Sequence, residues 1–133
     1  MLFSKYQIPP PKNWEDFENL CCDLWREIWG DPNTQKQGRR GQEQRGVDIW
    51  GRPNQSSKWA GIQCKGKDNY SGKTLTEDEV KEEVEKAKNF EPKLSEYIIA
   101  TTGKKDVKIE ELARKITDEN LKEGMFSVNI CAW

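Results

Sequence analysis

Apolar residues return every three or four positions from Trp14 to Ile28, through Phe17, Leu20, Cys21 and Leu24. That spacing predicts an amphipathic helix. Asn13 stands where an N-cap belongs, with Asp16 three residues on as its capping partner, and Gly30 followed by Pro32 stops the run. The stripe centres near Cys21, Leu24 and Ile28, which sets Glu18 about a quarter-turn away, at the edge of the buried face. Before this helix, Pro9-Pro10-Pro11 enforces an extended segment. After it, residues 33–46 are polar and glycine-rich and read as a loop. Val47-Asp48-Ile49-Trp50 predicts a short strand, Gly51 to Ser57 a turn, and Trp59 to Lys65 a second strand, together a β-hairpin. Residues 66–75 form another loop. Thr76 and Glu79 form a second capping box, opening a helix with Val80, Val84 and Ala87 on one face and Pro92 beyond its end. Tyr97 to Thr101 predicts a buried strand. Asp106 caps a third helix carrying Ile109, Leu112, Ala113 and Ile116, closed by Gly124. Phe126, Val128 and Ile130 alternate in a last strand that reaches Trp133. The order is α-β-β-α-β-α-β, an α/β fold with a small mixed central sheet flanked by helices.

Strand alternation adds geometry to this outline. Gln63 and Lys65 share one face of the second strand with Gly61, while Ile62 and Cys64 share the other. In the first strand Val47 and Ile49 point one way and Asp48 the other. A hairpin turning symmetrically near Gln55-Ser56 sets Asp48 across from Gln63. An aspartate, a glutamine and a lysine then meet on one patch of sheet.

Composition narrows the chemistry. The 133 residues suit a single domain, 1–133, with room for a hydrophobic core. No apolar run is long enough for a transmembrane helix, and no signal peptide opens the chain, so a cytoplasmic protein without membrane contact is expected. The chain stops at a strand without a polar tail, which reads as an N-terminal fragment of a larger multidomain protein. There is no histidine, which excludes Ser-His-Asp and Cys-His hydrolysis and histidine-metal sites. The four cysteines, Cys21, Cys22, Cys64 and Cys131, match no zinc spacing and read as small buried hydrophobes. The net charge of −1 conceals a basic middle: residues 33–73 hold 9 basic and 3 acidic side chains, between two acidic flanks. Phosphate backbones are drawn to such patches.

A carboxylate, an amide and a lysine inside a basic segment suit phosphodiester hydrolysis. Mg²⁺ (or Mn²⁺) takes oxygen ligands. Asp48 offers a carboxylate, Gln63 a side-chain carbonyl, Cys64 a backbone carbonyl, and Glu18 a carboxylate reaching the ion through water. The metal lowers the pKa of its bound water and shields the phosphate. Lys65 either orients or deprotonates that water or stabilises the charge that builds on phosphorus. Arg39, Arg40, Arg45, Lys67 and Lys73 flank the centre as candidates for backbone phosphates, and Gln42 and Gln44 for a phosphate or a base edge. Ser71-Gly72-Lys73-Thr74 imitates a phosphate-binding P-loop. Five residues rather than four separate Gly66 from Gly72, however, and the next helix opens on Glu77, Asp78 and Glu79.

Phe17-Glu18, Gly46-Val47-Asp48-Ile49, Gln63-Cys64-Lys65 and Thr101-Thr102-Gly103 together resemble the PD-(D/E)xK nuclease superfamily, most closely its Mrr-like restriction endonuclease branch. Gly41 to Gly46 further resembles nuclease modules of bacterial anti-phage effectors. The likeness runs from about Trp14 to Trp133. It implies a restriction-endonuclease-like fold and a Mg²⁺-dependent deoxyribonuclease cutting DNA, double-stranded by preference. Asp48, Gln63, Lys65 and Glu18 would form the catalytic set. It also implies sensor or nucleotide-binding domains elsewhere in the chain. Cutting both strands with one site per domain calls for two copies side by side, hence a homo-oligomer. One departure stands out: the acid two residues before the lysine is Gln63, which removes a negative charge from the metal and makes Glu18 more important. The same departure motivates the alternative, a non-catalytic nucleic-acid-binding or assembly module retaining the fold.

Overall fold

The computed structural model describes residues 9–11, 13–38, 45–67 and 73–133. Helix α1 spans Trp14–Trp29, strand β1 Gln35–Lys36, β2 Ile49–Gly51 and β3 Trp59–Lys65, with a 3₁₀ turn at Pro53–Gln55 between the last two. Helix α2 (Glu77–Ala87), β4 (Leu94–Thr101), α3 (Val107–Lys122) and β5 (Ser127–Ala132) complete the chain. Among the described residues five strands form one sheet in the order β1-β2-β3-β4-β5. The first two pairings are antiparallel and the last two parallel. The fold is therefore mixed α/β, with α1 on one face of the sheet and α2 and α3 on the other.

Local chemistry explains the elements. The Asn13 side chain accepts the Glu15 and Asp16 amides, and Gly30 closes α1 in the left-handed region. Thr76 and Glu79 make the reciprocal capping box of α2, and Asp106 accepts the Lys108 amide at the start of α3. The hairpin register pairs Ile49 with Ile62 and Gly51 with Ala60, which centres the turn between Gln55 and Ser56 as the sequence predicts.

Four expectations change. The segment 33–46 contains a short strand, β1, whose polar residues Gln35 and Lys36 carry no apolar alternation to announce it. Strand β4 begins at Leu94, three residues before the buried run. The buried face of α1 is rotated: Phe17, Glu18, Cys21, Cys22, Trp25 and Trp29 are buried, while Trp14, Leu20 and Ile28 are exposed. Two large indoles, Trp25 and Trp29, outweigh the smaller aliphatic stripe because burial free energy scales with apolar area. Glu18 consequently lies within the buried face rather than at its edge. Finally, Val47 and Ile49 fall on opposite sides of the sheet, Val47 with α2 and α3 and Ile49 with α1. The Asp48 amide donates to the Ile62 carbonyl at 2.7 Å, although Ile62 is already the partner of Ile49. Two residues thus answer to one, and alternation breaks at Asp48.

Candidate functional site

Strand β3 is the central strand, and its carboxyl end carries Gln63, Cys64 and Lys65. Crevices of open α/β sheets lie at such ends. The chain leaving β3 is stitched to the end of β4. Thr102 donates its amide to the Lys65 carbonyl at 3.3 Å. Its hydroxyl accepts the Lys67 amide at 2.7 Å and donates to the Lys67 carbonyl at 3.1 Å. The neighbouring Gly103 amide donates to the Thr101 hydroxyl at 3.0 Å. Thr101-Thr102-Gly103 therefore clamps the backbone directly after Lys65.

Asp48 sits where β2 and β3 part. Its Oδ2 accepts the Cys64 amide at 2.8 Å, deep in the protein. The carboxylate thus bonds the backbone next to Gln63 instead of standing side by side with the Gln63 amide. Burial pushes the Asp48 carboxyl up to about 6. The Cys64 amide opposes that shift, Glu83 adds to it, and Lys65 opposes it. Glu18 arrives from α1. Burial first, then the Asp48 charge, raises its carboxyl to about 7, with Lys36 opposing at 4.0 Å. Gln63 and Lys65 point the other way, into a polar cleft of about 380 Å³ lined also by Arg45, Gly46, Glu83, Lys86 and Asn89. Glu18 and Gln63 thus come from opposite faces of the sheet, with Asp48 at the seam between them.

Among the described residues, two buried side-chain oxygens lack a hydrogen-bond partner, Glu18 Oε2 and Gln63 Oε1. Both belong to the set expected to bind a metal. Among the described residues, no three histidine, cysteine, aspartate or glutamate side chains gather as a metal site. The groups expected from the sequence are two carboxylates, an amide oxygen and a backbone carbonyl, all hard-oxygen donors of the kind that Mg²⁺ or Mn²⁺ takes.

The phosphate candidates divide. Arg45 lines the cleft and donates to the Asn89 carbonyl at 3.2 Å. Lys73 is exposed. The Lys67 ammonium is gripped by both Glu79 carboxylate oxygens at 2.7 Å, so a phosphate there would have to displace an existing ion pair. Arg39, Arg40, Gln42 and Gln44 lie outside the described residues, as do Ser71 and Gly72 of the P-loop-like segment. All four cysteines are free thiols, and a hydrogen bond with Cys21, then burial, pushes the Cys64 thiol far up.

Sequence reasoning missed Glu83. This buried carboxylate meets Lys65 Nζ at 2.9 Å and Lys86 Nζ at 3.7 Å. A signal was present: Val80, Glu83, Val84 and Ala87 follow helical i, i+3, i+4, i+7 spacing, so Glu83 occupies an apolar position of α2. Lys86 was missed with it. Glu83 first, then Glu82, hold its ammonium above the usual lysine value.

No helix among the described residues is long and apolar enough to cross a membrane. No family model matches the chain, and comparison with curated proteins and with solved structures returned no match.

Proposed function

We propose that this chain is a metal-dependent endonuclease domain of the PD-(D/E)xK superfamily on a restriction-endonuclease-like fold. It hydrolyses phosphodiester bonds of double-stranded DNA as the effector of a bacterial anti-phage or restriction system. The observation that carries this reading is the pair of unpartnered buried oxygens, Glu18 Oε2 and Gln63 Oε1, flanking Asp48 at the end of β3. Leaving such an atom unbonded costs about 1–3 kcal/mol. Glu18 reaches toward Asp48 from the α1 face and Gln63 lies on the α2 face, and a divalent cation held by Asp48 would satisfy a buried oxygen of this kind. Mg²⁺ or Mn²⁺ bound there would act as a Lewis acid and lower the pKa of a water.

The chain's own residues supply the rest. Asp48, Gln63, the Cys64 carbonyl and Glu18 would hold the ion, and the Cys64 amide fixes the Asp48 carboxylate. The Lys65 ammonium faces the cleft, where it orients water or stabilises charge on phosphorus. Arg45, which lines the cleft, and the exposed Lys73 would meet backbone phosphates.

The test is cleavage of supercoiled plasmid by the full-length protein, with Mg²⁺ or Mn²⁺ and with EDTA, alongside Asp48→Asn and Lys65→Ala. Metal-dependent nicking should fall by on the order of 100-fold or more in either variant. Their melting temperatures should show that both remain folded. Absence of cutting in every metal, with DNA binding retained, would favour a binding or assembly module and make Gln63 the first suspect.

A further inference from the structure

A carboxylate in the apolar stripe of a helix is expensive unless it is paired. Glu83 is such a group. Its side chain is 6% exposed, and it faces Lys65 from α2 at 2.9 Å and Lys86 at 3.7 Å. Glu85 of the same helix behaves differently: it pairs with Lys88 on the open surface, where its side chain is 70% exposed. Glu83 is thus a buried anchor for cations that reach in from the cleft.

Lys65 needs such an anchor. Its backbone is fixed by pairing with Thr101 in the parallel ladder, but its long side chain carries much rotamer freedom. A short ion pair to a rigid, buried partner removes that freedom. Lys86 is drawn to the same wall, one helical turn on, and both ammonium groups line the cleft beside Gln63 and Arg45.

We propose that Glu83 is the positioning residue of this site, setting the ammonium groups of Lys65 and Lys86 beside the Gln63 amide to receive a substrate phosphate. The assignment rests on the nuclease reading above and adds a residue to it. Misplacing a group of this kind by about 1 Å lowers rates by on the order of 100-fold.

Glu83→Gln, Glu83→Asp and the surface control Glu85→Gln are compared for metal-dependent cutting, for DNA affinity in Ca²⁺, and for melting temperature. Glu83→Gln should lose on the order of 100-fold in kcat, with DNA affinity nearly unchanged. Glu83→Asp should recover part of the loss, and Glu85→Gln should match the parent. The ¹⁵Nζ–¹H signal of the Lys65 ammonium provides a readout independent of activity. It should be protected from exchange in the parent and lose that protection in Glu83→Ala. A parent that never cuts, yet shows this change, sinks the nuclease reading and leaves Glu83 as the anchor of Lys65. Unchanged kcat in Glu83→Gln, or an ammonium signal indifferent to Glu83→Ala, overturns the positioning role.

Discussion

Glu18 and Asp48 are held in surroundings that favour their neutral forms. Burial is the first cause for both, and their carboxyls titrate at about 7 and about 6 against ordinary values of 4.5 and 3.8. Because the folded values are raised, the stability linked to these groups is full at pH below the ordinary values. It is lost as pH rises through the folded ones. Melting temperature measured from pH 4 to 8 should therefore fall less steeply for Glu18→Gln than for the parent, with the gap opening between about pH 4.5 and 7. A divalent cation bound between the carboxylates would oppose the same loss, so Mn²⁺ should raise the parent's melting temperature at pH 8 more than the variant's. Tyr97 is the other residue with wide influence. Its hydroxyl donates its one proton to the Gly46 carbonyl, with the Glu83 carbonyl a longer second acceptor at 3.4 Å, tying β4 to the segment before Asp48 and to α2. Tyr97→Phe should lower unfolding free energy by about 1 kcal/mol in urea titration.

At the level of elements, the approach of the Gly46 backbone to α2 decides where Asp48 lies. Gly46 has φ +74°, and a Cβ there would come within 3.0 Å of the Ala87 amide and the Glu83 carbonyl. Both the dihedral and the space require glycine. Gly46→Ala should destabilise by more than about 1 kcal/mol and lose cutting out of proportion to stability, since Val47 and Asp48 must move with it. The caps of α1, α2 and α3 could be read from Asn13, Thr76 with Glu79, and Asp106, because capping is local chemistry between residues two or three apart. Strand β1 could not. Its two residues are polar, and they become a strand only because Ile49 and Trp50 present an open edge.

For the whole molecule, the sheet divides the interior into two cores. Ile49, Ile62, Cys64 and Ala100 pack beneath α1, and Val47, Tyr97, Ile99 and Val128 beneath α2 and α3. The candidate site lies at the seam, with Glu18 from one core and Glu83 from the other. Ile99 is fully buried and lies next to Gln63 in the ladder. Ile99→Ala should cost about 2–5 kcal/mol, seen as an earlier urea midpoint, and should weaken the whole sheet.

The sequence by itself determined the helix caps, the centre of the hairpin turn, the order of the main elements, and the placing of Gln63 and Lys65 on one face of β3. These depend on neighbours along the chain or on a strict period of two. Tertiary structure decided the rest. The burial of Trp25 and Trp29 turned α1 so that Glu18 faces inward, a choice between two overlapping apolar stripes that only the surface beneath the helix could make. The break at Asp48 followed from the doubled pairing with Ile62, a contact between residues fourteen apart. The union of Glu83 with Lys65 needed α2 laid across β3, and the position of a helix on a sheet is set by packing, which no local pattern contains.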